Sequence, residues 1–304
     1  MRKLSWVSPL LAGAMVVAAL VATESGAQER GQRGAAAPRG AAGQRGAPRG
    51  AAAPAEPAPT LADGKTVNLG RIPGEKGIWS LPYITNMATR TTAAGAAPAR
   101  GNGARGAAAE PQIPFMPWSA AVYNYNVLNS AKYDPEGYCL PPGGPRLYAT
   151  PYPMEIIQLP GQQRVIFIFE GGTHVWREVY MDGRSHPAEN AIKAETWLGH
   201  SVGRYEDNGK TLVVDVVGFN EGTWLDFAGH PHTNLLHVVE KFTRPNKATL
   251  HYEAMIDDPG TYTRPWTTSW DIPWNATGEL KEYICQENNR YLHSLKDDLG
   301  QPVF

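Results

Sequence analysis

The sequence predicts an all-β fold, in which one antiparallel barrel follows a disordered N-terminal tether. Apolar runs of strand length recur after residue 163, and turn-forming residues separate them at short intervals. Nine Trp and thirteen Tyr supply the aromatic side chains that fill β cores and line apolar pockets. A meander of strands must protect its edges, so we expect closure into a lipocalin-like up-and-down barrel, with a two-sheet β-sandwich as the alternative.

The predicted strands follow one another in up-and-down order. Residues 164–170 form a continuous apolar run and predict a strand buried on both faces. Two hairpins are expected, because residues 207–210 (DNGK) and 244–247 (RPNK) each separate two apolar runs. The other expected strands span residues 174–182, 197–206, 211–217, 235–243, 249–257, 267–272 and 279–285. Helical patterns are few and predict one helix at 119–131 and a short turn at 288–295.

The first residues have the pattern of a secretory signal peptide. Arg2 and Lys3 precede a mostly apolar stretch at 7–22, and Ser25-x-Ala27 fits a cleavage site. The apolar stretch is short and interrupted, whereas a membrane-spanning helix needs about 20 strongly apolar residues. We therefore expect a cleaved signal peptide over 1–27, a periplasmic or extracellular protein, and no stable membrane span after cleavage.

Composition divides the rest of the chain. Residues 28–60 are almost entirely Ala, Gly, Pro, Gln and Arg, which offer too little apolar surface to offset the entropy of ordering. We interpret them as a disordered tether. Residues 61–304 are expected to form a single β-rich domain, with a low-complexity insertion at 91–110 in a surface loop.

The charge and the motifs exclude several function classes. The net charge is −1, so the chain lacks the basic character expected of a nucleic-acid partner. It contains no phosphate-binding P-loop and no dinucleotide-binding glycine pattern after a strand. The partner that remains is a small-molecule ligand.

The two cysteines predict a disulfide. Cys139 and Cys285 follow a signal peptide, and exported proteins meet an oxidising compartment. The alternative is a pair of buried thiols. Closing a loop of this length stabilises the fold by about 5 kcal/mol in the chain-entropy model.

One turn motif supplies three polar candidates. Residues 181–187 (MDGRSHP) place Asp182, Arg184 and His186 at the end of a predicted strand, where barrels carry binding groups. In the functional interpretation Arg184 orients a polar group of the ligand, and Asp182 and His186 act as acid and base. The alternative is an Asp182–Arg184 bridge that holds the turn.

Alternation places His200, Arg204 and Glu206 on one face of the strand at 197–206. If this face lines the barrel, His200 is a candidate acid or base near neutral pH, and Arg204 and Glu206 form a pair beside the ligand. The alternative is that the opposite face points inward and these charges meet water. Asp215 interrupts the apolar run TLVVDVV and is either a partner of Arg204 or His200, with a catalytic role beside His200, or solvent-facing.

Metal binding and an aromatic pocket wall are two further possibilities. His230, His232 and His237 are the candidate metal ligands, but their stretch has loop character and zinc sites need three ligands in fixed geometry. We therefore expect no metal and no other cofactor. Trp266 and Trp270 share one face of an extended segment and are either core or one wall of a ligand pocket.

Several motifs carry a resemblance to a family. They include YMDGRSHP (180–187), WLGHSVGRYE (197–206), TLVVDVVGFN (211–220) and GHPHTNLLHVVEKF (229–242). With them, roughly residues 115–290 resemble an uncharacterised family of secreted bacterial proteins of the acidobacterial type. The resemblance implies export and no particular activity. Here the turn before TLVVD is one residue longer than the Trp-Glu-Gly-Asp type of that family.

Three functions are compatible with these patterns. The first is a secreted or periplasmic protein that binds a small, partly apolar ligand. The second is a cofactor-free enzyme, such as an isomerase, cyclase or hydrolase, with His and Asp side chains as acid and base. The third is a structural module of the cell envelope.

Overall fold

The computed structural model describes residues 54–91, 113–172, 175–188 and 196–287, without the side chains of Ser130 and Ala131. In this part of the chain nine strands close into a barrel in sequence order, which confirms the predicted barrel. The strands are β1 Ile78–Trp79, β2 Met154–Leu159, β3 Arg164–Phe169, β4 Trp176–Tyr180, β5 His200–Glu206, β6 Thr211–Val217, β7 His237–Asn246, β8 Thr249–Asp257 and β9 Trp266–Asn275. One helix, α1 Pro117–Tyr133, covers the predicted helical segment.

Several sequence predictions fall outside the described residues: the signal peptide, the tether up to residue 53, the insertion from residue 92 and the turn at 288–295. The last residues of the predicted tether are described and contact the barrel. The backbone N–H of Lys247 donates to the carbonyl of Glu56, and that of Asn68 donates to the carbonyl of Pro59. Within the described residues, no helix has both the length and the apolar character needed to cross a membrane.

The two predicted hairpins form. β5 and β6 pair from His200↔Val217 to Glu206↔Thr211, and β7 and β8 pair from His237↔Asp257 to Asn246↔Thr249. The first turn places Asp207 and Asn208 at positive φ, followed by Gly209. Asp, Asn and Gly are the residues that tolerate this conformation best, so the local sequence selects the turn.

The up-and-down order is broken once. β4 and β5 are parallel, and they pair only at Val179↔Ser201 and Tyr180↔Val202. The prediction of a wholly antiparallel meander is therefore wrong at this seam. The sequence contains no turn motif between 187 and 197, and the chain instead returns to the starting end of β4 before β5 begins.

The ends of the predicted meander also differ. β1 and β2 lie in stretches not predicted as strands, and the predicted strand at 279–285 does not form. β9 instead extends to Asn275 and closes the barrel through Ile78↔Asn275 and Trp79↔Trp274. Because β1 already occupies the free edge of β9, residues 279–285 have no strand to pair with.

The interior of the barrel is filled by its own side chains. Inward residues of β3 such as Phe167 alternate with half-buried ones, so the prediction of a strand buried on both faces is wrong. A short 3₁₀ helix, Gly144–Ala149, is buried throughout and inserts Tyr148, whose ring lies 4.5 Å from that of Tyr252 and 5.2 Å from that of Phe242. The expectation of a lipocalin-like central cavity is therefore replaced by a packed aromatic core.

One ion pair is enclosed in this core. Nη1 of Arg177 lies 2.6 Å from Oε2 of Glu240, and both side chains are at most 3 % exposed. Arg177 also donates to Tyr148 Oη and Ser201 Oγ, and Tyr252 Oη donates to Glu240 Oε1. Buried charges require such partners, and these contacts join β4, β5, β7 and β8 across the interior.

Cys139 and Cys285 form the predicted disulfide, at a sequence separation of 146 residues. It joins the segment before the buried 3₁₀ helix to the stretch that follows β9.

We expect Arg177→Met to destabilise the protein by about 3–5 kcal/mol, because it leaves the Glu240 carboxylate buried without its cation. The double variant Arg177→Met/Glu240→Leu removes both charges and should lose less unfolding free energy than the single variant. Urea unfolding monitored by Trp fluorescence measures the unfolding free energy of each variant. Lys241→Met is the matched control: its pair with Glu253 is 48 % and 32 % exposed and should contribute less than about 1 kcal/mol. A loss of the control's size for Arg177→Met would contradict this account.

We expect the double variant Cys139→Ser/Cys285→Ser to lose up to about 5 kcal/mol of unfolding free energy, the chain-entropy value for a loop of 146 residues. The same urea titration measures it, and dithiothreitol should destabilise the native protein but leave the variant unchanged. Equal sensitivity of both proteins to the reductant would show that the bond does not contribute.

Candidate functional site

The polar residues predicted on β5 and β6 lie on the outer face of the barrel. Ser201 and Gly203 point inward, whereas His200 is half-buried and Arg204 exposed on the opposite face. Asp215 on β6 is also outward and 34 % exposed. Of the two orientations that alternation allows, the structure has the one with the charges outside, so these residues do not line a barrel cavity.

Four of the outward residues form a hydrogen-bonded chain. Nδ1 of His200 lies 2.8 Å from Nδ1 of His186, and Nε2 of His186 lies 3.1 Å from Oδ1 of Asp215. Nε2 of His237 reaches the same carboxylate oxygen at 2.9 Å. The loop after β4 therefore lays His186 across β5 and β6, and we name His186, His200, Asp215 and His237 the histidine cluster.

When all three imidazoles of this cluster are neutral, its contacts fix which nitrogens carry a hydrogen. A carboxylate only accepts, so the His186 and His237 nitrogens that face Asp215 carry hydrogens. A neutral His186 that donates through Nε2 must accept at Nδ1, and His200 then donates through its own Nδ1. Nε2 of His200 is left with its lone pair, and no described residue forms a hydrogen bond to it. The neutral cluster thus ends in a free base.

That base lies beside a cleft between β4 and β5. The cleft holds about 510 Å³ and opens where the parallel strands separate ahead of their two paired positions. Its walls are mostly apolar and include Pro141, Val175, Trp176, Trp197 and Leu198, with Tyr180 and His200 among the polar groups. The volume is within the range of small-molecule sites, about 300–1,000 Å³.

A stack of side chains connects the turn motif to the cleft. The guanidinium of Arg184 lies 3.9 Å from the ring centroid of Tyr180, and the ring of Tyr180 stacks on His200 at 5.3 Å. Asp182 accepts a hydrogen bond from Nε of Arg184 at 2.9 Å. This is the Asp182–Arg184 bridge predicted from the sequence as the alternative to a role in ligand binding. This bridge holds Arg184 over Tyr180, so the turn positions one wall of the site.

The surroundings of His200 keep it neutral. Burial lowers its pKa below the ordinary value of 6.5, and His186, when it is protonated, and Arg184 lower it further. Burial disfavours the charged form of an imidazole, and neighbouring cations act in the same direction. At neutral pH the free base is therefore the dominant form.

Other predicted ligand contacts lie elsewhere. Arg204 and Glu206 pair with each other at 2.7 Å, are 59 % and 41 % exposed, and do not line the cleft. Trp266 and Trp270 are buried in the core, where Trp270 donates to the carbonyl of Tyr148. Of the two roles predicted for these tryptophans, the structure shows the one in the core, because β9 turns this face inward.

The three histidines considered as metal ligands have separate partners. His230 is buried against Asp226, His232 faces the hydroxyl of Thr223, and His237 belongs to the histidine cluster. Burial lowers the pKa of His232. Among the described residues no group of three or more His, Cys, Asp or Glu side chains is arranged to hold a metal ion.

Sequence reasoning missed several residues of the site. It grouped His237 with His230 and His232 because they are neighbours in the chain, although β7 pairs with β6 and brings His237 to Asp215. It also overlooked Trp176, Glu178 and Tyr180, which share the outer face of β4. The alternation in WREVY was the available indication, since it places two aromatic residues and a carboxylate on one face.

Comparisons of the chain with protein-family models, curated proteins and solved structures find no match. The resemblance carried by the motifs stays a prediction, and the function must be argued from the geometry of the cleft and the histidine cluster.

We expect the NMR titration of His200 to give a pKa below 6.5, and Arg184→Gln to raise it because a nearby cation is removed. Arg204→Gln is the matched control, since each arginine pairs with a carboxylate two residues away but Arg204 lies away from the cluster. In the unfolded chain His200 has its ordinary pKa, so at a pH between its lower folded pKa and 6.5 the unfolded state binds more protons at this residue than the folded state. The contribution of His200 to the free energy of unfolding therefore decreases as the pH falls through this range. An unshifted His200, or equal effects of both variants, would contradict the assigned surroundings.

Proposed function

We propose that the protein is a cofactor-free enzyme that transfers a proton on a small, partly apolar molecule held in the cleft between β4 and β5. The observation that carries this proposal is the chain from Asp215 through His186 to His200, which ends in an unprotonated nitrogen at the edge of the cleft. A general base within reach of a bound molecule typically accelerates its reaction by about 10²–10⁴-fold.

The histidine cluster is suited to accept a proton and return it. When Nε2 of His200 takes a proton from the substrate, the Nδ1 hydrogen can move to His186, whose positive charge is then balanced by Asp215. His237 donates to the same carboxylate and holds it in place. The proton returns by the reverse path, so the cluster ends each cycle in its starting form.

The walls of the cleft support a partly apolar ligand. Trp176 is an exposed indole at 60 % and belongs to the cleft together with Trp197 and Leu198. Covering apolar surface of this kind on binding is favourable by about 25 cal/mol for each Å² removed from water. The ligand therefore gains affinity from an apolar body and presents its reactive group to His200.

A carrier that binds the same molecule without changing it is the second candidate. The same exposed indole favours it, since a binding protein needs the cleft but not the proton-transfer chain. The two candidates share the ligand class and differ in turnover, so one experiment separates them. A structural role in the envelope needs neither feature.

For the place of action we propose export to the periplasm or beyond. The disulfide between Cys139 and Cys285 is compatible with an oxidising compartment. The signal-peptide pattern of residues 1–27 is the further support for this part of the proposal.

The test compares His200→Gln with the native protein on panels of small aryl esters and aryl ketones. Ester hydrolysis is followed by proton release, and exchange of ketone α-protons is followed by ¹H NMR in D₂O. We expect native turnover in at least one panel and a loss of about 10²–10⁴-fold in His200→Gln. The native rate should fall as the pH drops through the pKa of His200, which lies below 6.5, because the base becomes protonated.

His251→Gln is the matched control. His251 also bonds an aspartate on the outer face, Asp271 at 2.7 Å, but it does not line the cleft, so its variant should keep native rates. Quenching of Trp fluorescence by panel compounds measures binding separately. Binding without turnover in the native protein would favour the carrier, and full activity in His200→Gln would overturn the proposed base.

A further inference from the structure

We infer that Tyr180 donates a hydrogen bond to a carbonyl oxygen of the substrate, and that the reaction is removal and return of a proton at the carbon next to that carbonyl. This inference rests on the proposed function and narrows it to one substrate class, a neutral ketone or aldehyde attached to an apolar group. Three observations support it: the missing nucleophile, the fixed phenol and the charges at the cleft.

The first observation concerns nucleophiles. Covalent acyl transfer needs a hydroxyl or thiol hydrogen-bonded to its base, and within the described residues no such group bonds His200. Ser201 follows His200 in the chain but points inward, where its oxygen accepts from Arg177 at 2.9 Å. Both cysteines are in the disulfide. The partner of His200 is instead another histidine, which suits proton transfer.

The second observation is the position of Tyr180. Its ring contacts the guanidinium of Arg184 at 3.9 Å and stacks on the imidazole of His200 at 5.3 Å. The residue lines the cleft, and no described residue forms a hydrogen bond with its hydroxyl. A phenol whose ring is held by two such contacts is a preorganised donor, and its ring is stacked on the ring of the base.

These two groups match the two ends of an enolisation. His200 Nε2 takes the proton from the carbon, and the C–H electron pair forms a carbon–carbon double bond. The carbonyl π electrons move to the oxygen, whose negative charge is stabilised by the Tyr180 hydrogen bond. Return of the proton from His200 to the same or another carbon restores a carbonyl compound, so the step needs no oxidant, reductant or co-reactant.

The third observation selects a neutral substrate. Glu178 lies on the outer face of β4 between Trp176 and Tyr180 and lines the cleft with them. Its carboxylate pairs with Arg164 at 3.1 Å, and Arg177, the cation that also lines the cleft, pairs with Glu240 at 2.6 Å. The charges at the cleft are therefore balanced, without an excess of positive charge. A carboxylate substrate would meet like charge there and is also a far weaker carbon acid than a ketone. A ketone or aldehyde meets neither obstacle.

The experiment measures α-proton exchange in D₂O by ¹H NMR on a panel of aryl ketones and β,γ-unsaturated ketones, with the matching carboxylates as comparison compounds. We expect the native protein to exchange the ketones and not the carboxylates. Tyr180→Phe should lower kcat for exchange by about 10²–10³-fold with a smaller change in KM, because the hydrogen bond strengthens as charge develops on the oxygen.

Tyr180→Phe keeps the aromatic ring that contacts Arg184 and His200, so the fold and the base stay in place. An unchanged pKa of His200 in the NMR titration verifies this. Tyr83→Phe is the matched control, since Tyr83 is exposed and packs on Phe227 away from the cleft. Native exchange in Tyr180→Phe would overturn the role of Tyr180. Ester hydrolysis that depends on His200, without ketone exchange, would overturn the substrate class and leave the proposed function intact. If His200→Gln keeps both ketone exchange and ester hydrolysis at native rates, the proposed function itself is overturned.

Discussion

The parallel seam between β4 and β5 is the constraint on which the rest of the molecule depends. Antiparallel neighbours need only a short turn, but parallel neighbours need a chain that runs back to the starting end. Here the described residues 181–188 of that connection bring His186 onto Asp215 at the outer face of the sheet. The same seam pairs at only two positions and opens into the cleft. One departure from the meander thus creates both the proton-transfer chain and the space beside it.

Local patterns in the sequence predicted much of the barrel and part of the site. The turn at 207–210 was identified because Asn and Gly tolerate positive φ, and the second hairpin turn was predicted at 244–247, although β7 continues to Asn246 and the turn lies at 246–249. Asp215 was identified because it interrupts an apolar run, His200 because alternation places it with the charges of its strand, and His186 because it lies in a turn motif at the end of a strand. Their mutual contact was not predicted, since it depends on the parallel seam, and no local pattern indicates a strand's direction.

The sequence also did not determine which face of β5 points into the barrel. β5 turns inward its small residues, Ser201 and Gly203, which carry little hydrophobic character to mark a core face. Ser201 contacts the buried Arg177, and a Cβ on Gly203 would lie 2.5 Å from Sδ of Met181 and 2.6 Å from Cγ1 of Val179, so both positions require small residues. That pair joins residues far apart in the chain, so from sequence alone Arg177 resembles any outward charge on an alternating strand. Period two fixes which residues share a face and leaves undetermined which face is inside.

A packed interior gives the outer site a rigid support, and the barrel has two distinct ends. The turns at 207–210 and 246–249 lie at one end with Glu56, whose carbonyl accepts from Lys247. The first residues of β5 and the mouth of the cleft lie at the other. The described chain therefore begins at the end of the barrel opposite the mouth of the cleft. A molecule that contacts Glu56 and its neighbours would leave that mouth open to small molecules arriving by diffusion.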